Sequence, residues 1–266
     1  MDKLNFLIEY LLKERNEKLE RMPTDELEKK KMYRSLVNVR EPSPISNEYL
    51  DAENEFLQEE LKKKEVTNID DIQTVKEKYS GYNLSNPDKI CLWQGDITKL
   101  KIDAIVNAAN SRGLGCFGAC HDCIDNQIHT FAGVSLRLAC NEIMKEKEYN
   151  LKTGEAIITK GYNLPAKNVI HTVGPIINFN VTKMQELELA DCYINSLKLA
   201  IENNIRTISF PCISTGVFRF PKDLSSKIAI KAVDEFLKTN GDKIDKVVFN
   251  LWSREDVEIY ERNIRG

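Results

Sequence analysis

Four metal-binding side chains fall inside one stretch of eight residues: Cys116, Cys120, His121 and Cys123. They account for three of the chain's seven cysteines and one of its three histidines. Thiolate sulfur and imidazole nitrogen suit zinc, which takes such ligands at the corners of a tetrahedron. Three protein ligands leave one position open, the pattern of a catalytic site, whereas a fourth closes the site into a structural one. His121 and Cys123 belong to either set. Cys120 either replaces Cys116 or joins it, and spacing alone leaves both arrangements open. A redox reading also exists, because Cys120-His-Asp-Cys123 is a Cys-x-x-Cys pair just before a helix, a place that lowers thiol pKa. The surrounding chain, however, lacks a thioredoxin-like plan. Just upstream lies Asn107-Ala-Ala-Asn110-Ser-Arg-Gly-Leu-Gly115, whose small residues allow backbone to approach a ligand.

A second loop, Pro211-Cys-Ile-Ser214-Thr215-Gly216-Val217-Phe218-Arg-Phe220, joins a buried strand to a helix starting near Lys222. It reads as an ordinary turn or as a nest of successive backbone N–H groups beside a helix N-terminus. The nest favours phosphate or diphosphate, with Phe218 and Phe220 as pocket walls. Asp96, in Gln94-Gly-Asp96-Ile97-Thr98, is either a helix cap or an acceptor for the exocyclic amine of a base. Asp125 has three readings: a carboxylate that positions or activates water, a helix cap, or a partner of the metal site. His129 packs or hydrogen-bonds one turn later. His171 sits in an apolar strand as a core histidine. Cys91, Cys140, Cys192 and Cys212 read as small buried hydrophobes.

The elements that must position these groups change character near residue 82. Residues 1–80 contain no glycine and are dense in Leu, Glu and Lys. Leu4, Leu7, Ile8, Leu11 and Leu12 recur at helical spacing, as do Tyr49, Leu50, Phe56, Leu57 and Leu61. Asp25 and Ser46 stand at helix-start signals. The region 1–82 is therefore a helical extension of three or four amphipathic helices, either a cap on the main domain or a partner-docking module. From residue 83 to 266 strands and helices alternate. Strands are expected at 90–93, 104–109, 155–159, 169–173, 207–210 and 246–251. Helices are expected at 124–144, 185–203, 224–237 and 255–263. That alternation points to an α/β three-layer sandwich with ligands beyond the carboxyl ends of the strands.

With 42% hydrophobic residues the chain can build a sizeable core, and its formal charge of -3 gives no basic field for nucleic acid. No apolar run is long enough to span a bilayer, and the N-terminus lacks an export-signal layout. An odd number of scattered cysteines fits reduced thiols in a cytoplasmic protein.

Gly95-Asp96-Ile97-Thr98, Asn107-Ala-Ala-Asn110, Ala132-Gly133, His171-Thr-Val-Gly-Pro175 and Ile213-Ser-Thr-Gly-Val-Phe218 occur in that order. Through them the chain from about Lys89 onward resembles a macrodomain, an ADP-ribose-binding module. The cysteine–histidine insert and the helical extension are similar to those of the zinc-dependent branch of microbial macrodomains. Two departures from the general pattern stand out. The insert replaces a run of glycines before Ile124-Asp125-Asn-Gln-Ile128-His129, and Arg219 stands where a glycine is usual.

The resemblance implies a three-layer α/β/α sandwich with a mixed sheet behind a small all-helical extension. It implies Zn2+ as cofactor and favours Cys116, with His121 and Cys123, as the ligand set. It places Asp96 and Ile97 at an adenine, Asn107, Ala109 and Asn110 on the distal-ribose loop, and Ser214, Thr215, Gly216, Val217 and Phe218 on the diphosphate. The implied activity is removal of ADP-ribose from modified proteins by hydrolysis at the anomeric carbon of the distal ribose. Asn110 would orient that ribose, and Asp125 would act on the water. The implied partner is an ADP-ribosylated protein, with a sirtuin-type ADP-ribosyltransferase as a functional neighbour. A non-catalytic ADP-ribose reader and an O-acetyl-ADP-ribose deacetylase are the other two readings.

Overall fold

Each helix of the extension starts where a side-chain oxygen answers an otherwise orphaned N–H. Asp2 accepts from Leu4 at 3.2 Å before α1 (Lys3–Glu14). Asp25 accepts from Glu28 at 2.9 Å before α2 (Glu26–Val39). Ser46 accepts from Tyr49 at 3.2 Å before α3 (Asn47–Lys62). The apolar stripe Leu4, Leu7, Ile8, Leu11 and Leu12 meets Tyr33, Leu36 and Val37 of α2 and Tyr49, Phe56 and Leu57 of α3. These residues bury a small core of their own. Val134, from the main domain, completes it. The computed structural model describes residues 2–265, so Met1 and Gly266, the outer ends of the two regions read from sequence, lie outside it.

The chain then runs through β1 (Thr67–Asn68), the single turn α4 (Val75–Lys78), β2 (Ile90–Gln94), β3 (Leu100–Lys101) and β4 (Ala104–Ala109). After the cysteine–histidine loop come α5 (Ile124–Ala132) and α6 (Val134–Glu146), then β5 (Ala156–Lys160), β6 (Asn168–Val173) and α7 (Lys183–Glu202). It ends with β7 (Thr207–Phe210), α8 (Lys222–Asn240), β8 (Lys246–Leu251) and α9 (Arg254–Asn263). The short β1 pairs parallel with β3, and Ile69, Ile72 and Val75 enter the cores of the main domain.

Six strands form one sheet in the order β2-β8-β7-β4-β6-β5. Every neighbour is parallel except β5, which runs antiparallel to β6. The period of two along each strand sorts the apolar residues onto two faces. Leu92, Val106, Ile170, Ile208 and Phe249 pack toward α7, α8 and α9. Cys91, Ile105, Val169 and Val248 pack toward α5 and α6. The result is the expected three-layer α/β/α sandwich with a mixed sheet. Among the described residues no helix is long and apolar enough to cross a membrane.

The 124–144 segment differs from expectation. One helix was expected, and the structure has two, broken at Gly133 with φ 88°. The cause lies outside the segment. Glu53 of α3 reaches the break, where its Oε2 accepts the Val134 N–H at 2.8 Å while its Oε1 accepts from Tyr33 at 2.7 Å and Tyr49 at 3.2 Å. A Cβ at position 133 would lie 2.6 Å from that Oε2. A glycine is therefore required both for the left-handed backbone and for the close approach, and α6 begins on a carboxylate supplied by the extension. Gly133→Ala is expected to lower stability by more than about 1 kcal/mol, because both the φ angle and the contact oppose a methyl group. An unchanged urea midpoint would show that Glu53 does not fix this junction.

Candidate active site

Three adjacent parallel strands, β7, β4 and β6, deliver their carboxyl ends to one edge of the sheet. The end of β4 and the loops that follow β4 and β7 hold most of the residues singled out from the sequence, Asp96 and Ile97 follow β2, and the loop after β6 packs against the β7 loop. In such sheets this edge is where ligands bind.

Asp125, in the first turn of α5 and only 4% exposed, is the best-supported polar group here. Asn107 Nδ2 donates to its Oδ1 at 2.7 Å, and Asn110 Nδ2 donates to its Oδ2 at 3.1 Å. Burial still raises its pKa to about 6, against the two amides and the positive charge of Arg137. Asn107 is itself fully buried, so its side chain supports Asp125 from beneath and does not face the ligand edge. The same amide nitrogen lies 3.1 Å from His171 Nδ1. Asp125 fixes the amide's orientation, because the opposite flip would set Asn107 Oδ1 against the carboxylate. An amide nitrogen only donates, so His171 Nδ1 accepts, and its Nε2–H faces Thr159 Oγ1 at 3.0 Å. His171 is thus a neutral core histidine, its pKa lowered to about 3 by burial.

Asn110 binds its own loop with the rest of its amide: Nδ2 also donates to the Gly115 carbonyl at 3.0 Å, and Oδ1 accepts the Arg112 N–H at 3.0 Å. Ala109 is buried and can meet a ligand only through its backbone. Gly115 has φ 84°, and a Cβ there would come within 2.7 Å of the His129 ring. His129 is buried, with neither ring nitrogen hydrogen-bonded among the described residues; its Nε2 is 3.7 Å from Asp125 Oδ1. Burial holds it neutral.

The metal-type donors converge. Cys116 Sγ, a ring nitrogen of His121 and Cys123 Sγ all lie within 4.8 Å of one another; His121 Nδ1 is 3.8 Å from Cys116 Sγ and accepts the Cys123 N–H at 3.3 Å. These separations and this sulfur–nitrogen–sulfur set fit one tetrahedral zinc ion. Cys120 takes no part. Its backbone adopts φ 53°, and its Sγ turns away to donate to the Lys31 carbonyl of α2 at 3.4 Å. Cys123 also caps α5, its Sγ accepting the Asn126 N–H at 3.4 Å. Burial pushes the Cys123 thiol up to about 12, so a bound cation is what would favour its thiolate form. Asp125 therefore stands within one helical turn of the donor set. A second convergence, His129, Cys140 and His171, is wholly buried, and Thr159 already engages His171 Nε2.

At the β7 exit, Ser214 and Arg219 both take left-handed backbone, at φ 64° and 60°. This accounts for the expectation of a glycine where Arg219 stands. Among the described residues, the N–H groups of Ser214, Gly216, Val217 and Phe218 have no acceptor, and Gly216 and Val217 are exposed. Phe218 is half-buried, but Phe220 is 2% exposed in the core and walls nothing. The loop packs against the β6 exit so closely that a Cβ on Gly174 would lie 2.0 Å from Ser214 Oγ. Asp96 caps a short 3-10 turn, its Oδ1 accepting from the Thr98 N–H and hydroxyl at 3.0 and 2.6 Å. Oδ2 is 4.0 Å from Lys99 Nζ. Ile97 is buried beside it.

The model of the Macro domain matches residues 106–229. A Staphylococcus aureus (strain MSSA476) protein named protein-ADP-ribose hydrolase is 46% identical over 97% of this chain and 94% of its own length. The chain belongs to the macro domain family. A Treponema medium protein of the same name is 45% identical over 97% of this chain and 96% of its own. Two solved structures are similar to this macrodomain. The Trypanosoma brucei macrodomain in complex with ADP-ribose has a TM-score of 0.66 at 29% identity, covering 86% of this chain and 94% of that one. The Oceanobacillus iheyensis macrodomain with ADP has 0.62 at 38%, covering 70% and 94%.

Sequence reasoning missed Arg137. Its Nε donates to the Leu114 carbonyl at 2.8 Å and its guanidinium lies 4.2 Å from the centre of the Phe117 ring, so it props the macrodomain's metal-type loop. The available signal was a lone arginine on the apolar face of α6, between Leu136 and Cys140.

Two outcomes follow from these buried groups. Asn107→Leu leaves Asp125 Oδ1 and His171 Nδ1 without partners and should cost about 2 kcal/mol or more in urea unfolding. A loss below roughly 0.5 kcal/mol would contradict the network. Because His171 stays neutral when folded but takes a proton near pH 6.5 when unfolded, its contribution is full above that pH. It falls between about pH 6.5 and pH 3, by up to about 1.4 kcal/mol per pH unit. His171→Asn should flatten this acid slope, and an unaltered slope would contradict the assignment.

Proposed function

We propose that this macrodomain is a zinc-dependent hydrolase that removes ADP-ribose from modified proteins by cleaving the bond at the anomeric carbon of the distal ribose. The observation that carries the reading is the placing of Cys116, His121 and Cys123 beside the doubly supported Asp125, at the edge that also presents the free amides of Ser214, Gly216, Val217 and Phe218. Relatives named protein-ADP-ribose hydrolase, and a similar macrodomain bound to ADP-ribose, support it.

The N–H groups of Ser214, Gly216, Val217 and Phe218 would hold the diphosphate, and the Thr215 hydroxyl would lie beside them. Asp96 Oδ2 would accept the adenine amine, with Ile97 supporting the turn from within. The binding energy of these remote parts places the reacting carbon. The backbone of 109–115 would form the ribose wall. Asn110 keeps a lone pair on Oδ1 for a ribose hydroxyl and steadies Asp125. Zinc held by Cys116, His121 and Cys123 would supply Lewis acidity toward a ribose or leaving-group oxygen. Asp125 would orient the attacking water and take its proton as the carbon–oxygen bond to the protein breaks; the leaving oxygen would take up a proton from solvent, and Asp125 would return its own to solvent, so that water is added across the bond. Its rigid support by two amides suits that role, since neither oxygen can swing away. Thiolate ligands need a reducing compartment, which fits the cytoplasm, and a sirtuin-type ADP-ribosyltransferase is the kind of enzyme that would make the substrate.

Incubation with ADP-ribosylated protein tests the reading. The wild type should hold one zinc and release ADP-ribose, and chelation should abolish release. Cys123→Ala should lose both metal and release. Asp125→Ala should keep the metal and slow release by about 10²–10⁴-fold. Full activity after chelation would refute the zinc mechanism. Binding without release would identify a reader, and release of acetate alone from O-acetyl-ADP-ribose a deacetylase.

A further inference from the structure

The loop that presents the zinc-type donors has little structure of its own. Within residues 116–123 the backbone bonds are His121 N–H to the Gly118 carbonyl at 3.2 Å, Gly118 N–H to Cys116 Sγ at 3.4 Å and Cys123 N–H to His121 Nδ1 at 3.3 Å. Its shape comes from outside, and half of the anchors belong to the helical extension. Arg34 of α2 donates through one terminal nitrogen to the His121 carbonyl at 2.7 Å and to Asn126 Oδ1 at 3.0 Å. Asn38 of α2 is 1% exposed. Its Oδ1 accepts the Cys120 N–H at 2.9 Å, and its Nδ2 donates to Thr130 on α5 at 2.9 Å. From the main domain, Asn126 Nδ2 donates to the Gly118 carbonyl at 2.8 Å, and Arg137 approaches the Cys116 carbonyl at 3.4 Å.

The two α2 contacts fall where the loop must turn. Asn38 pins the amide of Cys120, the residue at φ 53°, and Arg34 pins the carbonyl of the next residue, His121. Together they send the Cys120 thiol toward α2 and leave the His121 ring on the side of Cys116 and Cys123. Within the loop and α5, the Cys123 N–H to His121 Nδ1 bond at 3.3 Å and the Asn126 N–H to Cys123 Sγ bond at 3.4 Å place Cys123 beside the imidazole, but neither of them turns Cys120 away.

We propose that Arg34 and Asn38 of the extension are positioning residues of the metal site, fixing the 116–123 backbone so that Cys116, His121 and Cys123, and not Cys120, form the ligand set. The extension is then a part of the site's construction, which rests on the zinc reading above. Groups that orient ligands without touching the ion commonly change metal affinity by about 10–100-fold when removed.

The test uses the full chain, zinc alone as the probe, and competition with a chromogenic chelator. Arg34→Met and Asn38→Ala should each weaken zinc binding by about 10–100-fold. They should also speed hydrogen exchange across 116–123 in the zinc-free protein. Arg34→Lys, which keeps one donor toward the His121 carbonyl, should recover part of the affinity. Glu53→Gln weakens the extension at the other end of its contact with the main domain, away from this loop, and should leave zinc affinity unchanged. The proposal fails if Arg34→Met and Asn38→Ala bind zinc as tightly as the wild type. It also fails if Glu53→Gln loosens zinc as much as they do. In both cases a zinc-loaded wild type leaves the metal reading standing, whereas a wild type that binds no stoichiometric zinc overturns both.

Discussion

A single buried guanidinium joins the two modules. Arg137 donates to the carbonyls of Leu114, Val37, Asn38 and Arg40 and reaches toward Cys116. Three of those carbonyls, Val37, Asn38 and Arg40, belong to the carboxyl end of α2 or the residues just after it, where the helix dipole is negative and, of the three, Val37 also accepts the Arg40 N–H. Burial lowers its pKa to about 10, still well above neutrality, so the charge persists. Only arginine offers enough rigid donors for this arrangement. The charge answers a helix end, props the β4–α5 loop and stands near Asp125. A neutral residue here would leave several buried acceptors unanswered at once.

With that cation fixed, the electrostatics of the site are simple. Asp125 is held by an amide on each of its oxygens, and burial holds the two nearby imidazoles neutral. The donor trio lies at the outer end of α5, where His121 is exposed. Buried groups thus govern the carboxylate, while the donor trio sits on a loop held by side chains of α2, α5 and α6. The two layers meet in Cys123 and Asp125, two residues apart at the start of one helix.

Much of this was legible in the sequence, for reasons that can be named. Strands 104–109, 207–210 and 246–251 have the bounds their apolar pattern suggests, because buried parallel strands read as short β-branched runs. The extension's helices follow their caps and stripes. Failures came where a distant residue decides. Nothing within 124–144 announces that Glu53 will reach Gly133 and split the helix. Nothing within 210–221 tells that Phe220 turns inward while Phe218 stays half out. Asn107 and Asn110 look alike in an Asn-Ala-Ala-Asn motif. Strand alternation already places Asn107 on the α5 face with Ile105, a clue that the motif itself obscures. Cys120 could not be separated from Cys116 by spacing, since the atoms that turn it away are the Lys31 carbonyl and Asn38 Oδ1, some 80 residues earlier.

The absent side chain at Gly174 has a further consequence. The β6 and β7 exits touch there with no space for even a methyl group, so the base of the anion-type loop is locked to the sheet. At its rim, by contrast, a Cβ on Gly216 would meet no other protein atom, and Val217 is exposed. Sequence drift in this pocket therefore has a permitted direction. At the rim the protein's own packing leaves room for a larger side chain, while the floor must keep its shape for as long as the sheet does.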